Sequence, residues 1–293
     1  MYTKGITHRR CEVELDSKIF TERDAWLVVD KSIQSLCLDS ALTEKVYSII
    51  LYGSLVRGDF LPQVSDIDIM IVMKMKDGIF PEQEARQIIS VFEEESKPYR
   101  TPPPRGRHHG QAVFDAIAFG EPELPLRGRT PVPTNSILAP PEIKPLGIYA
   151  FDFERFNRIL HGHNFIPAME VRSPRSFIPE RARWMRDRLR EFFKEQPSFV
   201  PVTTGEAMRL ARIQFGEPNL DKRTALADFM ENVPDFASKS FAKTFWQQYL
   251  DVTYFEDKTD DQVQGFYDDC LRFANDIIGL LLDENPLGRT TKG

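Results

Sequence analysis

Cysteine is scarce and poorly spaced for any structural use: Cys11, Cys37 and Cys270 are odd in number and far apart, which gives neither a disulfide framework nor a zinc-ligand pattern. Long apolar runs are missing as well. No stretch approaches the length of a membrane span, and the opening Met1-Tyr2-Thr3-Lys4 lacks the apolar core of a signal peptide, so a cytoplasmic location is expected. Excess positive charge is also absent. A formal net charge of −6 argues against a general nucleic-acid binder, which must neutralise many phosphates. What remains, 41% hydrophobic and 28% charged residues, is the balance of a globular chain rather than a disordered one. At 293 residues the chain calls for one large or two modest domains.

The most informative stretch is Ile49 to Val72, IILYGSLVRGDFLPQVSDIDIMIV. Val46 to Tyr52 is β-branched and aromatic, and it stops at Gly53-Ser54, as a buried strand ending in a turn does. Gly53 permits a tight bend and close approach of a phosphate to the backbone. Ser54 is expected to cap a short helix begun by Leu55-Val56-Arg57, and a helix N-terminus attracts anions. A second apolar run, Ile67 to Val72, opens with Ser65-Asp66-Ile67-Asp68. The period of two puts Asp66 and Asp68 on one face and Ile67, Ile69 and Ile71 on the other. Carboxylates at i and i+2 lie about 6.5 Å apart at Cα. Their oxygens can therefore converge on ions about 3.5–4 Å from each other, the spacing of a two-metal site. Such hard oxygen ligands suit Mg²⁺.

Gly53-Ser54, eleven residues, then Asp66-Ile67-Asp68, with Arg57-Gly58 between and Ser65 just before, resembles the signature of the DNA polymerase beta-type nucleotidyltransferases. The minimal and aminoglycoside nucleotidyltransferases are the most similar branch. That resemblance implies a third acidic residue on a later strand, and Asp115 in the run Gln111 to Phe119 fits it. It also implies an enzyme that moves a nucleoside monophosphate from ATP, or another nucleoside triphosphate, to a hydroxyl, releasing pyrophosphate. Asp66, Asp68 and Asp115 would be catalytic and would hold two Mg²⁺ ions. Gly53 and Ser54 would bind the β- and γ-phosphates, and Arg57 is a further candidate for that charge. The acceptor is a small molecule or a protein. The alternative is an antitoxin-like or regulatory nucleotide-binding protein that acts through a protein partner.

The expected fold is an α/β (α+β) nucleotidyltransferase core with a mixed sheet over residues 1–170, followed by an all-helical domain over 171–293 that can bind the acceptor. Thr21 to Leu38 and Pro81 to Glu95 read as amphipathic helices, with Thr21 as a cap and Pro81 in a first turn. Lys97 to Gly110 is rich in proline and basic residues. It reads as a flap that meets triphosphate or an acidic acceptor, or as a solvated connection, and the second is favoured. The many prolines of 120–146 predict extended connections, Ile148 to Phe151 a short strand, and Asp152 to Leu160 a short helix. Ile159 to Ile166 resembles the strand and turn that closes such a domain. His161 and His163 lack further ligands for zinc. Arg155 and Arg158 before His161 raise a helical ribonuclease of the HEPN group, but that fold needs a long helix, which Gly162 opposes.

Beyond Pro174 the pattern is helix after helix: Pro179 to Glu195, Gly205 to Ile213, Lys222 to Glu231, Ser238 to Val252, and a last helix capped by Thr259-Asp260-Asp261-Gln262. By resemblance, a glutamate of this part can act as base, with Glu180 and Glu206 as candidates. An aminoglycoside acceptor would want an acidic pocket, and carboxylates such as Asp228, Glu231, Asp235, Asp251, Glu256 and Asp257 are available for one.

Overall fold

A computed structural model describes residues 19–107, 110–120, 146–168 and 172–283. The basic pair Arg9-Arg10, the histidines at 108 and 109, and the proline-rich connections of 121–145 lie outside the described residues.

Helix α1 (Glu22–Cys37) begins where Thr21 and Asp24 cap each other's backbone amides, the reciprocal arrangement that satisfies two of a helix's unpaired donors. A single turn, α2 (Ser40–Thr43), leads into β1 (Val46–Tyr52), and α3 (Ser54–Arg57) follows at once. Then come β2 (Ile67–Met73), α4 (Glu82–Ser96), β3 (Phe114–Gly120), α5 (Leu146–Arg155) and β4 (Asn157–Gly162). The sheet runs β3-β2-β1-β4. β1 is antiparallel to both β2 and β4, while β2 and β3 are parallel and joined across α4, so the sheet is mixed as expected.

Alternation splits the sheet into two faces. Ile49, Leu51, Ile67, Ile69 and Ile71 pack with Val28, Val29, Ile88 and Phe92 of α1 and α4. The other face presents Ile50, Tyr52, Met70, Val72, Ile117 and Phe119 to Phe153, Phe165 and Ile166. Asp68 and Asp115 share this second face with Tyr52, at the end where β1 stops.

Two expected elements are replaced. Ile148 to Phe151 is not a strand, and the segment to Leu160 is not one helix: α5 covers 146–155 and β4 covers 157–162. The cause is burial on two sides. Ile148 and Phe151 enter the core of the helical region, whereas Phe153 covers the sheet, so the run lacks the single apolar stripe by which a surface helix is recognised. Ser54 also departs from expectation: Gly53 takes the cap position of α3, and no side chain caps that turn.

The remainder is helical: α6 (Ile178–Glu195), α7 (Phe199–Phe215), α8 (Ala225–Asn232), α9 (Phe241–Leu250) and α10 (Asp260–Leu281). α10 opens on the expected capping box of Thr259 with Gln262. It buries Phe266, Cys270, Phe273, Ile277 and Leu281 against Met185, Leu189, Met208 and Phe245. α7 starts six residues before the expected Gly205. Pro201 sits in its first turn, where a missing N–H costs nothing, and Thr204 returns its hydroxyl to the Val200 carbonyl at 2.8 Å. Among the described residues no helix is long and apolar enough to cross a membrane.

Replacing Thr21 by Ala removes one half of the α1 cap and is expected to cost about 1 kcal/mol. Urea unfolding of the variant beside the parent measures it, with the slope unchanged.

Candidate active site

The three aspartates meet. Asp68 and Asp115 are direct partners in the parallel pairing of β2 with β3, and neighbouring strands lie about 4.8 Å apart. Asp66 stands one residue before β2, in a backbone held by the bond from Ile67 N–H to the Val113 carbonyl at 3.0 Å. One ligand atom from each of Asp66, Asp68 and Asp115 lies within 4.8 Å of the others, and no other group of three or more metal-ligating side chains occurs among the described residues. His161 and His163 are not part of such a group. His163 instead lies against Tyr47, ring centroids 4.9 Å apart.

The Gly53 bend closes onto this cluster because Tyr52, at the end of β1, pairs with Asp68. Gly53 has φ +77°, and a Cβ there would overlap the Asp68 carboxylate. Only glycine tolerates both conditions. Ser54 is buried, and its Oγ has no hydrogen-bond partner among the described residues. A buried hydroxyl left without a partner costs free energy, so a ligand oxygen at this position would satisfy it.

These residues line a cavity of about 390 Å³ between the sheet and the helices, walled on the helical side by Glu206, Arg209, Arg212, Lys222, Trp246 and Tyr249. Of the two glutamates singled out in the sequence, Glu206 lines the cavity and Glu180 is exposed at the start of α6. Glu206 receives Nε and Nη2 of Arg181 at 2.7 and 2.9 Å, and that guanidinium lies 3.8 Å from the Trp184 ring centroid. Tyr149 meets Arg209 at 3.4 Å. Burial pushes the Tyr149 phenol above its ordinary pKa, so it remains a neutral hydroxyl.

Arg57 is clamped. Its Nη1 lies 2.6 Å from Asp152 and its Nε 3.0 Å from Asp59, with all three side chains at most 7% exposed. Asp59 also accepts the Lys222 backbone N–H at 2.7 Å, and Lys222 Nζ donates to Ser65 Oγ at 2.7 Å. This buried seam ties the turn after β1 to the helical region. Nothing in the local sequence marked Asp59, Asp152, Arg209 or Lys222, because their neighbours come from distant segments. The segment Lys97 to Gly110, read as a solvated connection, is exposed at Arg100, Pro102, Pro103 and Arg105, but Gly106 and Arg107 line the cavity and Arg107 is bonded to the end of α9.

A sequence family described as nucleotidyltransferase domain matches residues 31–101. The match takes in β1, the Gly53 bend, β2 and α4. The Gly53-Ser54 and Asp66-Ile67-Asp68 motif, read above as similar to that of the DNA polymerase beta-type enzymes, lies inside the matched segment. The matched segment ends before Asp115, which strand pairing adds to the site of this domain. Among solved structures, a spectinomycin adenyltransferase, AAD(9), from Enterococcus faecialis, crystallised with ATP and spectinomycin, aligns at TM-score 0.49 and 12% identity. The alignment covers 85% of this chain and 99% of that chain. A likeness that distant carries no residue correspondence. A search of curated proteins gives no match.

Asp152 makes the clamp sensitive to pH. Burial raises its pKa above the ordinary carboxylate value, and Arg57 only partly pulls it back. A raised carboxylate contributes stability below its unfolded pKa and loses it as pH rises through the folded value. Asn at 152 does not titrate. The stability of the parent relative to Asp152→Asn should therefore decline as pH rises above the ordinary carboxylate range, read by urea unfolding at each pH. Arg57→Leu, which strands two buried carboxylates, should cost about 3–5 kcal/mol at neutral pH.

Proposed function

We propose that the protein is a Mg²⁺-dependent nucleotidyltransferase that moves AMP from ATP to a hydroxyl of a small molecule and releases pyrophosphate. The observation that carries this reading is the meeting of Asp66, Asp68 and Asp115, ligand atoms within 4.8 Å, in one cavity with the Gly53-Ser54 bend. The donor set is all hard oxygen, which fits Mg²⁺. Asp66, Asp68 and Asp115 would hold two such ions, which supply neutralisation of the triphosphate and a lowered pKa for the attacking hydroxyl.

The protein's own groups do the rest. The bare Gly53 bend lets phosphate oxygens approach the backbone, and Ser54 Oγ donates to one of them. Arg57 lines the same wall with its charge already paired by Asp59 and Asp152, so its part is to hold the turn that carries Ser54 in place. The acceptor oxygen forms a bond to the α-phosphorus as the bond to the bridging oxygen of pyrophosphate breaks, the leaving oxygen keeping the electron pair. Asp115 takes the hydroxyl proton or holds that oxygen in line. Residues 1–170 serve as the nucleotide-binding domain and 171–293 as the acceptor side. A cytoplasmic setting suits an ATP-dependent reaction.

The cavity also bears on the acceptor. Beyond the triad its carboxylates are Asp152 and Glu206, both already paired with arginine; of the cations that line it, Arg57 and Arg212 are matched by aspartates, and Arg107, Arg209 and Lys222 add positive charge to the wall. The acidic residues counted from the sequence do not form a pocket here. Asp228 pairs with Arg212, Asp235 with Lys239 and Asp257 with Lys258. This wall favours a hydroxyl acceptor of little positive charge over a polycation.

Incubation with ATP labelled at the α-phosphate, Mg²⁺ and a panel of hydroxyl compounds is the test. Label should pass to a small molecule rather than to protein. Asp66→Asn combined with Asp68→Asn should abolish transfer with the far-ultraviolet spectrum unchanged, and undiminished turnover in that variant would refute the assignment. Gly53→Ala should weaken Mn²⁺ binding by about tenfold or more, since the new methyl displaces the Asp68 carboxylate. Titration of each protein with Mn²⁺ reads this directly. Mg²⁺ with ATP should raise the melting temperature of the parent by relieving carboxylate repulsion.

A further inference from the structure

We infer that Arg107 is a positioning residue that locks the aromatic wall of the cavity, carried by α9, to the strand that bears Asp115. The inference rests on the functional reading above and assigns a part that the reading does not use.

The segment leading to β3 contains Pro102-Pro103-Pro104 and then Arg105-Gly106-Arg107. Consecutive prolines cannot coil into a helix, so they hold the chain extended. At its far end the chain is fastened to the helical region three times in succession. Arg105 binds the Lys258 carbonyl and the Asp260 carboxylate. Gly106, at φ +74°, lies so close to Phe255 that a Cβ would overlap the ring. Arg107 Nη2 donates to the carbonyls of Gln248, Tyr249 and Asp251 at 2.6, 2.9 and 3.0 Å.

Those carbonyls belong to the end of α9, whose last turn has no basic residue of its own. The final carbonyls of a helix lack partners within it, and its C-terminus favours a cation. Arg107 supplies both from about 140 residues away in sequence. The same turn holds Trp246 and Tyr249, whose rings stack at 4.8 Å and 19° and line the cavity.

The near end of this segment is tied to the residues that lead into β3, the Gln111 backbone N–H donating to Thr101 Oγ1 at 3.3 Å. The Gln111 amide donates to the Tyr99 carbonyl at 3.0 Å and accepts from Phe20 N–H at 3.2 Å. The segment of residues 99–107 is therefore fastened to α9 at one end and to Gln111, just before β3, at the other. A displacement of α9 is transmitted to the entrance of the catalytic strand, and the reverse holds equally.

Amide exchange of the full chain tests this, with and without Mg²⁺ and α,β-methylene ATP, a donor that cannot transfer AMP. In the parent the nucleotide should slow exchange across 246–252. In Arg107→Ala, exchange there without nucleotide should rise about five- to tenfold. At a saturating concentration the analogue should no longer slow α9 in this variant. Arg107→Lys, which keeps a cation at the carbonyls, should recover part of the protection. Undiminished nucleotide-linked protection in Arg107→Ala, or no recovery by Lys, overturns the inference while leaving the functional reading intact. Failure of the parent to bind the analogue overturns both.

Discussion

Like charges do not gather unaided, and the feature on which this molecule depends is the pairing that forces them together. Parallel β2 and β3 set Asp68 beside Asp115, and antiparallel β1 brings Tyr52, and so the Gly53 bend, to the same level. The repulsion among the carboxylates is borne by apolar burial elsewhere in these strands. Ile67, Ile69 and Ile71 are fully buried on one face and Met70, Val72 and Ile117 nearly so on the other. Because side chains alternate with period two, a slip of one residue would exchange the faces. The register that preserves the core therefore also preserves the site.

The second constraint is the seam between sheet and helices. Arg57 with Asp59 and Asp152, and Lys222 with Ser65, form polar contacts across the base of the cavity. The basic strap crosses elsewhere, from Arg105 and Arg107 to the ends of α9 and α10. Charges taken out of water are stable only with near-complete pairing, which makes such contacts selective for one relative placement of the two parts. A cavity whose aspartate wall and opposite wall come from different parts needs that definition, since the proposed transfer depends on reacting groups being held at close and aligned range.

Much of this was legible in the sequence where the determining interaction is local. The Thr21 and Thr259 caps, the strand ends at Tyr52 and Asp68, and the apolar stripe of α10 each follow from residues a few positions apart. Asp115 was legible as a lone carboxylate in an apolar run, although its partner lies 47 positions earlier in the chain. What could not be read was whatever depends on two surroundings at once. α5 resembles a strand because it is buried by both the sheet and the bundle. The loop of 100–107 resembles a solvated connection because its acceptors are backbone carbonyls, which leave no mark in side-chain sequence. Glu180 and Glu206 carry no local mark that separates them, because only the packing of α7 against α6 turns Glu206 to the cavity and to Arg181.

The double burial of α5 has a consequence for how the chain can be divided. Ile148 and Phe151 complete the interior of the bundle, yet the helix that carries them precedes β4, which is hydrogen-bonded to the central strand β1. Any cut between the catalytic half and the rest would leave one fragment with bare apolar side chains and the other with a void where they belonged. The two halves are thus bound by a shared piece of interior, and the sheet-bearing part is no detachable cassette.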